Sequence, residues 1–373
     1  MRVTFDYENV IGRFSGIPQA TQDDALAMLV NGIDVNLWLS KRNFPVDSVF
    51  DKEKIENMKL IGKYEILATR PPNYMAWLLQ NLGSLKYSSN DIIINTLFPA
   101  LDRNAKHRIL RIHDPLGIGL SFLKELKSGG GRLKLVLARS LRTAALAKVI
   151  DNTNFVSVSN VTKDKIVDLY RIDSSRIAVI PNAVGFSFKL NVNRQPHENK
   201  PYFLIIGGYR QRKRPNYAIN AWANSKILRE TNLIVVGDVP YELLNESAKI
   251  RYEKRELRFV KNLTHESLNC LLANALASIF VSLGEGFGRP IAESLMVGTS
   301  VISNDLPIFR EVGGSFVDYF DINFPEQLQS LLEEKIENKN IQDKDKMMKF
   351  ASKYSYESIG LSWARYLSNL TSN

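Results

Sequence analysis

The sequence predicts an α/β protein of two domains, each built on a parallel β-sheet. Short apolar runs alternate with helical patterns along almost the whole chain, which is typical of right-handed βαβ units. The 373 residues suffice for two domains of ordinary size. A polar stretch with two prolines at 191–201 separates two such series and is interpreted as a linker.

The first domain is predicted to span residues 1–190. Its strands are expected at short β-like runs that alternate with helical patterns. These runs lie at 2–6, 35–39, 65–68, 92–95, 109–113, 155–159 and 177–180. Helical periodicity predicts helices at 20–31, 74–82, 132–148 and 163–170.

The second domain is predicted to span 202–350, with a further helix in the segment 351–373. Its strands are expected at 202–206, 233–236, 278–282 and 300–303, and its helices at 216–225, 266–275, 291–297 and, with many charges, 333–349. Ile359, Trp363 and Leu367 are spaced to share one apolar face of the last helix.

The composition favours a soluble protein that binds polyanions. The net charge of +10 suits nucleic acid, anionic lipid or phosphorylated substrates, although no known nucleic-acid-binding module is visible. No apolar run approaches the roughly 18–20 residues that span a bilayer, and the first residues lack a signal-peptide pattern. The single cysteine, Cys270, excludes an internal disulfide and fits a cytoplasmic protein. No Cys/His cluster has the spacing of a zinc site.

The stretch 284–294 carries the strongest functional signal. It follows an apolar strand, holds three glycines and is expected to open a helix with Pro290 at its first position. Glu285 would lie on the loop and Glu293 in the first helical turn. Free backbone N–H groups there suit an anion, while the two carboxylates suit sugar hydroxyls, which favours a phosphorylated sugar. An ordinary strand–helix turn, with a glutamate favoured by the helix dipole, is the alternative.

A second turn, at 210–214, carries four cations before Pro215, which is expected to begin a helix. Helix N-termini are electropositive, so cations there are unfavourable unless an anion compensates them. A guanidinium at Arg212 beside an ammonium at Lys213 suits a diphosphate; a solvated basic loop is the alternative.

Both turns follow strands of the second domain and should lie on one rim of its sheet, because open parallel sheets bind ligands at the carboxyl ends of their strands. Asp238 and the segment 261–263 should edge the same crevice and meet a nucleotide base. A phosphate clamp beside a hydroxyl clamp describes a nucleotide-sugar site.

Several segments resemble, in the same order, the motifs of one enzyme family. They are 112–114, 158–163, 179–184, the pair Arg212-Lys213, the E-x7-E region 285–304, and 311–314. On these segments, which span nearly the whole chain, the sequence resembles retaining family 4 glycosyltransferases of the kind that builds bacterial surface polysaccharides. The resemblance implies the GT-B fold, in which two Rossmann-like domains face each other across a cleft and the C-terminal helix closes back toward the N-terminal domain.

The resemblance also implies roles for individual residues. Glu285 would contact the transferred sugar and Glu293 the ribose hydroxyls. Arg212 and Lys213 would neutralise the leaving diphosphate without a metal ion or other cofactor, and His113 would lie across the cleft near the sugar. The implied catalytic residues are Glu285, His113, Arg212 and Lys213, and the implied donor-binding residues are Arg210, Gly286, Phe287, Gly288, Glu293, Asp238, Leu263 and Gly16.

Two positions depart from the family's pattern. Asn182-Ala183 stands where many members have Asn-Gly, and Gly208 stands where many have arginine, for which Arg210 is the candidate substitute. The loop 12–18 resembles the family's glycine loop with fewer glycines, and a plain surface turn is the alternative. A strand-end histidine bonded to backbone is the alternative for His113.

The implied reaction moves a hexose, with retention, from a nucleotide-sugar donor to a glycan acceptor in surface polysaccharide synthesis; family habit favours GDP-mannose. Cationic and apolar residues at 116–148 suit docking on anionic lipid, which favours a lipid-linked acceptor and a peripheral location on the inner face of the plasma membrane. A helix packed on its own sheet is the alternative. No nucleic acid partner is expected.

The rival functions are a same-fold inverting transferase or nucleotide-sugar epimerase, and a non-enzymatic basic protein that binds membranes or nucleic acid.

Overall fold

A computed structural model describes residues 2–6, 16–40, 64–70, 92–96, 106–114, 150–185, 200–210, 212–225, 230–337 and 343–372. The chain divides into two compact units, one formed by Met1–Ala183 with Tyr354–Asn373 and the other by Val184–Lys353. Each unit is built on one parallel sheet, which confirms the predicted fold class. In the described part of the chain, no helix combines the length and apolarity that a membrane span needs.

The first unit contains a sheet of seven parallel strands in the order β3-β2-β1-β4-β5-β6-β7. The strands are β1 (Arg2–Asp6), β2 (Asp34–Ser40), β3 (Tyr64–Arg70), β4 (Ile92–Asn95), β5 (His107–Ile112), β6 (Thr153–Ser157) and β7 (Ile177–Val179). Each coincides with a predicted strand to within two residues. Helices α1 (Gly16–Val30) and α2 (Asn160–Tyr170) match the predictions at 20–31 and 163–170. The helices predicted at 74–82 and 132–148, and most of the predicted linker, lie outside the described residues.

The second unit contains six parallel strands in the order β10-β9-β8-β11-β12-β13. Its strands are β8 (Tyr202–Ile206), β9 (Asn232–Val236), β10 (Leu257–Val260), β11 (Ser278–Phe280), β12 (Val301–Asn304) and β13 (Val317–Phe320). Its helices are α3 (Pro215–Ala223), α4 (Glu246–Glu253), α5 (His265–Asn274), α6 (Arg289–Met296), α7 (Pro307–Gly313), α8 (Pro325–Glu337) and α9 (Lys344–Ala351). The strand order reverses at β8, between β9 and β11, and such switch points are where open α/β sheets bind ligands.

The prediction of one helix over 333–349 is wrong. Helix α8 ends at Glu337, and α9 begins at Lys344. Helix α9 begins here for a local reason, because the Asp343 side chain accepts a hydrogen bond from the Lys346 backbone N–H at 3.1 Å. An aspartate in this N-cap position satisfies a backbone donor that has no partner within the helix.

The last helix, α10 (Tyr356–Ser372), belongs to the first unit and packs against α1. Its apolar face is buried as predicted, with Trp363 fully buried. Gly360 lies so close to α1 that a Cβ there would overlap the carbonyl oxygen of Ala27. The Tyr356 hydroxyl donates to Asp23 Oδ1 at 2.6 Å. These contacts fix the helix on α1.

A buried ion pair joins α1 to β5 beneath this helix. Arg111 Nε donates to Asp24 Oδ2 at 2.9 Å, and both side chains are fully buried. Arg111 also donates to the Ser157 carbonyl at 3.1 Å, and its guanidinium carbon lies 5.2 Å from the Trp363 ring centre. Burial raises the pKa of Asp24 to about 6, although the neighbouring Arg111 charge acts in the opposite direction.

Candidate active site

The cationic turn and the glycine-rich loop meet at the carboxyl end of β11. The Leu283 N–H donates to the Arg212 carbonyl at 3.0 Å, and the Arg214 N–H donates to the Val281 carbonyl at 3.4 Å. Lys213 and Ser282 pair between these bonds as an antiparallel bridge. Residues 212–214 therefore run as a short extended segment along 281–283, and the two turns share one rim, as the strand topology predicts.

Arg212 and Glu285 form the central ion pair of this rim. Their closest atoms, Arg212 Nη1 and Glu285 Oε2, are 2.6 Å apart. Arg212 Nη1 also contacts the Gly284 carbonyl oxygen, and the Ser282 hydroxyl donates to Glu285 Oε1 at 3.2 Å. The resemblance assigns Arg212 to the diphosphate and Glu285 to the sugar. Because the two side chains are in direct contact, the group assigned to the diphosphate lies next to the group assigned to the sugar.

Lys213 lies beside the switch point of the sheet. Its ammonium is 5.8 Å from the centre of the Phe280 ring, at the end of β11. It is also 3.7 Å from the position that a Cβ would take on Gly207, which follows β8. Among the described residues it has no carboxylate within ion-pair distance, unlike its neighbour Arg212. The ammonium charge is therefore placed where a ligand at the carboxyl ends of β8 and β11 would meet it.

Gly208 is explained by the neighbouring loop rather than by a ligand. A Cβ at Gly208 would lie 3.0 Å from the backbone N and O of Asp238, and Tyr209 N–H donates to the Asp238 carbonyl at 2.7 Å. Gly237, with φ of 141°, completes this close approach of the loops after β8 and β9. The arginine found here in many family members would press against the Asp238 backbone in this arrangement. Arg210 is exposed, and its Nη1 donates to the Tyr209 carbonyl at 3.1 Å.

Glu293 lies in the second turn of α6, so its predicted placement in the first turn is wrong. Gly288, with φ of 94°, is the N-cap, and the helix begins at Arg289, which puts Pro290 at the second helical position. Glu293 is buried and pairs with Arg289 Nη2 at 3.1 Å. The loop before the helix is tightly packed, because Phe287 is buried and a Cβ at Gly288 would lie 3.2 Å from the Phe309 ring.

Asp238 and Leu263 lie on the loops after β9 and β10. Asp238 Oδ2 pairs with Lys261 Nζ at 2.8 Å, and both side chains are exposed, whereas Leu263 is half-buried. This pair ties the two loops to each other. In the described part of the chain, no group of three or more His, Cys, Asp or Glu side chains is arranged to hold a metal ion.

The first unit carries the other two predicted site residues. His113 follows β5, is buried, and has its Nδ1 3.2 Å from Asn182 Oδ1. Asn182 Oδ1 is also 3.5 Å from Arg111 Nη2, so the histidine is tied to the buried ion pair of this unit. Gly16 is the first residue of α1, and residues 12–15 of the predicted glycine loop lie outside the described residues.

Two units that are each built on a parallel Rossmann-like sheet are the architecture of the GT-B fold. Residues 188–354 match the family described as glycosyl transferases group 1.

Two bacterial mannosyltransferases are similar to parts of the chain. The chain is 32% identical over 160 residues to the O-antigen chain mannosyltransferase RfbU of Salmonella typhimurium, a match that covers 42% of this chain and 43% of RfbU. It is 31% identical over 140 residues to the serotype-specific mannosyltransferase WbdA of Escherichia coli, covering 36% of this chain and 17% of WbdA. The chain thus matches less than half the length of either relative.

The fold also matches that of the Anabaena protein HepE, solved in complex with UDP and glucose. The two superpose with a TM-score of 0.67 at 15% identity, over 99% of this chain and 100% of HepE. At this level of identity the likeness is one of fold.

Proposed function

We propose that the protein is a retaining glycosyltransferase that moves a hexose from a nucleotide-sugar donor to a glycan acceptor. The observation that carries this proposal is the assembly of Arg212, Lys213 and Glu285 at the carboxyl end of β11, beside the switch point of the second sheet. The match of residues 188–354 to glycosyl transferases group 1 supports it.

The proposed chemistry follows from where charge develops. The bond between the sugar's anomeric carbon and the diphosphate oxygen breaks, and negative charge grows on the leaving diphosphate. Arg212 and Lys213 stabilise that charge. Such stabilisation lowers the barrier most when the cationic groups are already in place before the reaction. The acceptor hydroxyl attacks from the face that the diphosphate leaves, and its proton passes to the diphosphate. Glu285 accepts hydrogen bonds from the sugar, and Glu293 accepts them from the ribose.

We propose mannose as the transferred sugar and GDP-mannose as the donor. Two mannosyltransferases, RfbU and WbdA, match parts of the chain at 32% and 31% identity, and the GDP nucleotide rests on family habit. An acceptor of surface polysaccharide synthesis is proposed on the same grounds. Its lipid linkage, and a peripheral location on the inner face of the plasma membrane, rest on the basic stretch 116–148, which lies outside the described residues.

The decisive experiment combines donor binding with product analysis. GDP-, UDP- and dTDP-sugars are screened by thermal shift, because a ligand that binds only the folded state raises the melting temperature. GDP-mannose should give the largest shift, and the product with a lipid-linked glycan should keep the donor's anomeric configuration by NMR. Inverted product would refute retention, and no shift with any nucleotide sugar would refute the proposed function. Transfer activity that persists in EDTA would support the proposal that Arg212 and Lys213 stabilise the diphosphate without a metal ion.

A further inference from the structure

Asn304, the last residue of β12, holds the backbone of Ser282 with both ends of its side-chain amide. Its Nδ2 donates to the Ser282 carbonyl at 3.0 Å, and its Oδ1 accepts from the Ser282 N–H at 3.0 Å. Both residues are buried. Only one orientation of the amide matches a donor to the carbonyl and an acceptor to the N–H. The side chain thus extends the β11–β12 pairing beyond Phe280, where the backbone ladder ends.

Ser282 is the residue to which both parts of the candidate site attach. Its backbone pairs with Lys213, and the next residue along, Leu283, bonds the Arg212 carbonyl at 3.0 Å. Its hydroxyl donates to Glu285 Oε1 at 3.2 Å. Asn304 therefore binds, from the adjacent strand, the backbone of a residue that contacts both the cationic segment and the carboxylate loop.

We propose that Asn304 is a positioning residue for sugar transfer, acting through the backbone of Ser282 on Arg212, Lys213 and Glu285. This inference rests on the proposed function and deepens it. Asn304 contacts none of these three ionic groups itself in the described structure, so its effect is on their placement. Misplacement of reacting groups by about 1 Å costs on the order of 100-fold in rate, and the loss of two backbone bonds at the root of the loop permits a shift of that size.

Ser303 supplies a matched control. It precedes Asn304 on β12, is fully buried, and its hydroxyl donates to the Phe280 carbonyl on β11 at 2.8 Å. The Ser303→Ala variant therefore loses a buried bond between the same two strands without touching residues 281–285. A merely structural role for Asn304 predicts that the two positions behave alike.

The experiment compares Asn304→Leu, Asn304→Asp and Ser303→Ala in the full chain. We measure kcat, the KM for the donor, and the melting temperature. Asn304→Leu should lower kcat by about 100-fold, while Ser303→Ala should stay within about threefold of the parent. A kcat for Asn304→Leu that matches the parent would overturn the inference, and so would an equal loss in Ser303→Ala.

The Asn304→Asp variant adds a readout that loss of stability does not produce. A protonated carboxyl can reproduce both bonds, whereas a carboxylate has no donor for the Ser282 carbonyl. Its kcat relative to the parent should therefore rise from about pH 8.5 to about pH 5.5, since burial raises the pKa of a carboxyl. The charged groups that face Ser282 are Arg212, Lys213 and Glu285. Their own effect on kcat is common to both proteins and cancels in the ratio, whereas the two cations lower the pKa of the introduced carboxyl and oppose the effect of burial. A flat ratio in a folded variant would overturn the inference.

Failure of the inference and failure of the proposed function are distinguishable. If the parent and the Asn304 variants are equally active, only the positioning role is refuted. If the parent transfers no sugar from any donor, the proposed function is refuted. In that case GDP binding by calorimetry still decides the inference: Asn304→Leu should weaken it at least about tenfold relative to Ser303→Ala, and equal affinities would refute it.

Discussion

Replacing Lys213 by alanine separates the chemistry of the site from its stability. The side chain has one described contact of energetic note, with its ammonium 5.8 Å from the Phe280 ring centre, and such a contact is worth about 0.5–1 kcal/mol at an exposed site. The backbone pairing with Ser282 does not need the side chain. We therefore expect Lys213→Ala to change the free energy of unfolding by no more than about 1 kcal/mol.

The expected effect on the reaction is much larger. Removing one group that stabilises developing charge costs about 2.7–4 kcal/mol, or about 100- to 1,000-fold in kcat. The assay is steady-state transfer with GDP-mannose, together with urea unfolding. Arg214→Ala is the matched control, because it removes one cation from the same turn at an exposed position where the side chain makes no capping bond. A kcat for Lys213→Ala within about threefold of the Arg214→Ala value would refute the diphosphate role.

Three further predictions concern packing and charge. Gly360→Ala should destabilise the first unit by about 3 kcal/mol, since the Ala27 carbonyl blocks the added methyl group, and thermal unfolding checks this against the exposed control Leu361→Ala. Burial raises the pKa of Asp24 to about 6 in the folded protein, so its carboxyl binds a proton more tightly in the folded state than in the unfolded state. The free energy of unfolding should therefore increase by about 1 kcal/mol from pH 7 to pH 5. Urea titrations should show that Asp24→Asn removes this gain, and an unchanged slope would contradict it. Gly208→Arg should lower the unfolding temperature of the second unit, because overpacking against the Asp238 backbone costs about 1–3 kcal/mol; unchanged unfolding would show that the loop yields.

The sequence was informative where burial leaves a local pattern. The strands of the first unit are rich in apolar and β-branched residues, and each was predicted. Helix α4 and strand β10 were missed because their patterns are weak: α4 buries one residue, Ala248, and β10 buries only Leu257 fully. The missed α7 and β13 are similarly short elements. Their identity is set by packing on neighbouring elements, which no single stretch encodes.

The candidate site was predictable to the level of topology. Strand order brings the Arg212 turn and the Glu285 loop to one rim, and that required only the assumption of a parallel sheet. The ion pair between them depends on the Lys213–Ser282 bridge, which joins segments about 70 residues apart and has no local signal. For Asn304, the sequence shows only that a polar residue follows an apolar strand. The turn that holds Glu293 was misjudged because Gly288, not the proline, sets the helix start. The roles of all the predicted site residues stay predictions.

The place of α10 in the fold has a consequence for biosynthesis. During translation the second unit is contiguous and can fold as soon as it has left the ribosome. The first unit, although synthesised earlier, must wait for residues 356–372 before Trp363 can cover the buried arginine–aspartate pair and Tyr356 can reach Asp23. A chain that ends between residues 353 and 356 would therefore contain a complete second unit and a first unit without α10, which we expect to be less stable.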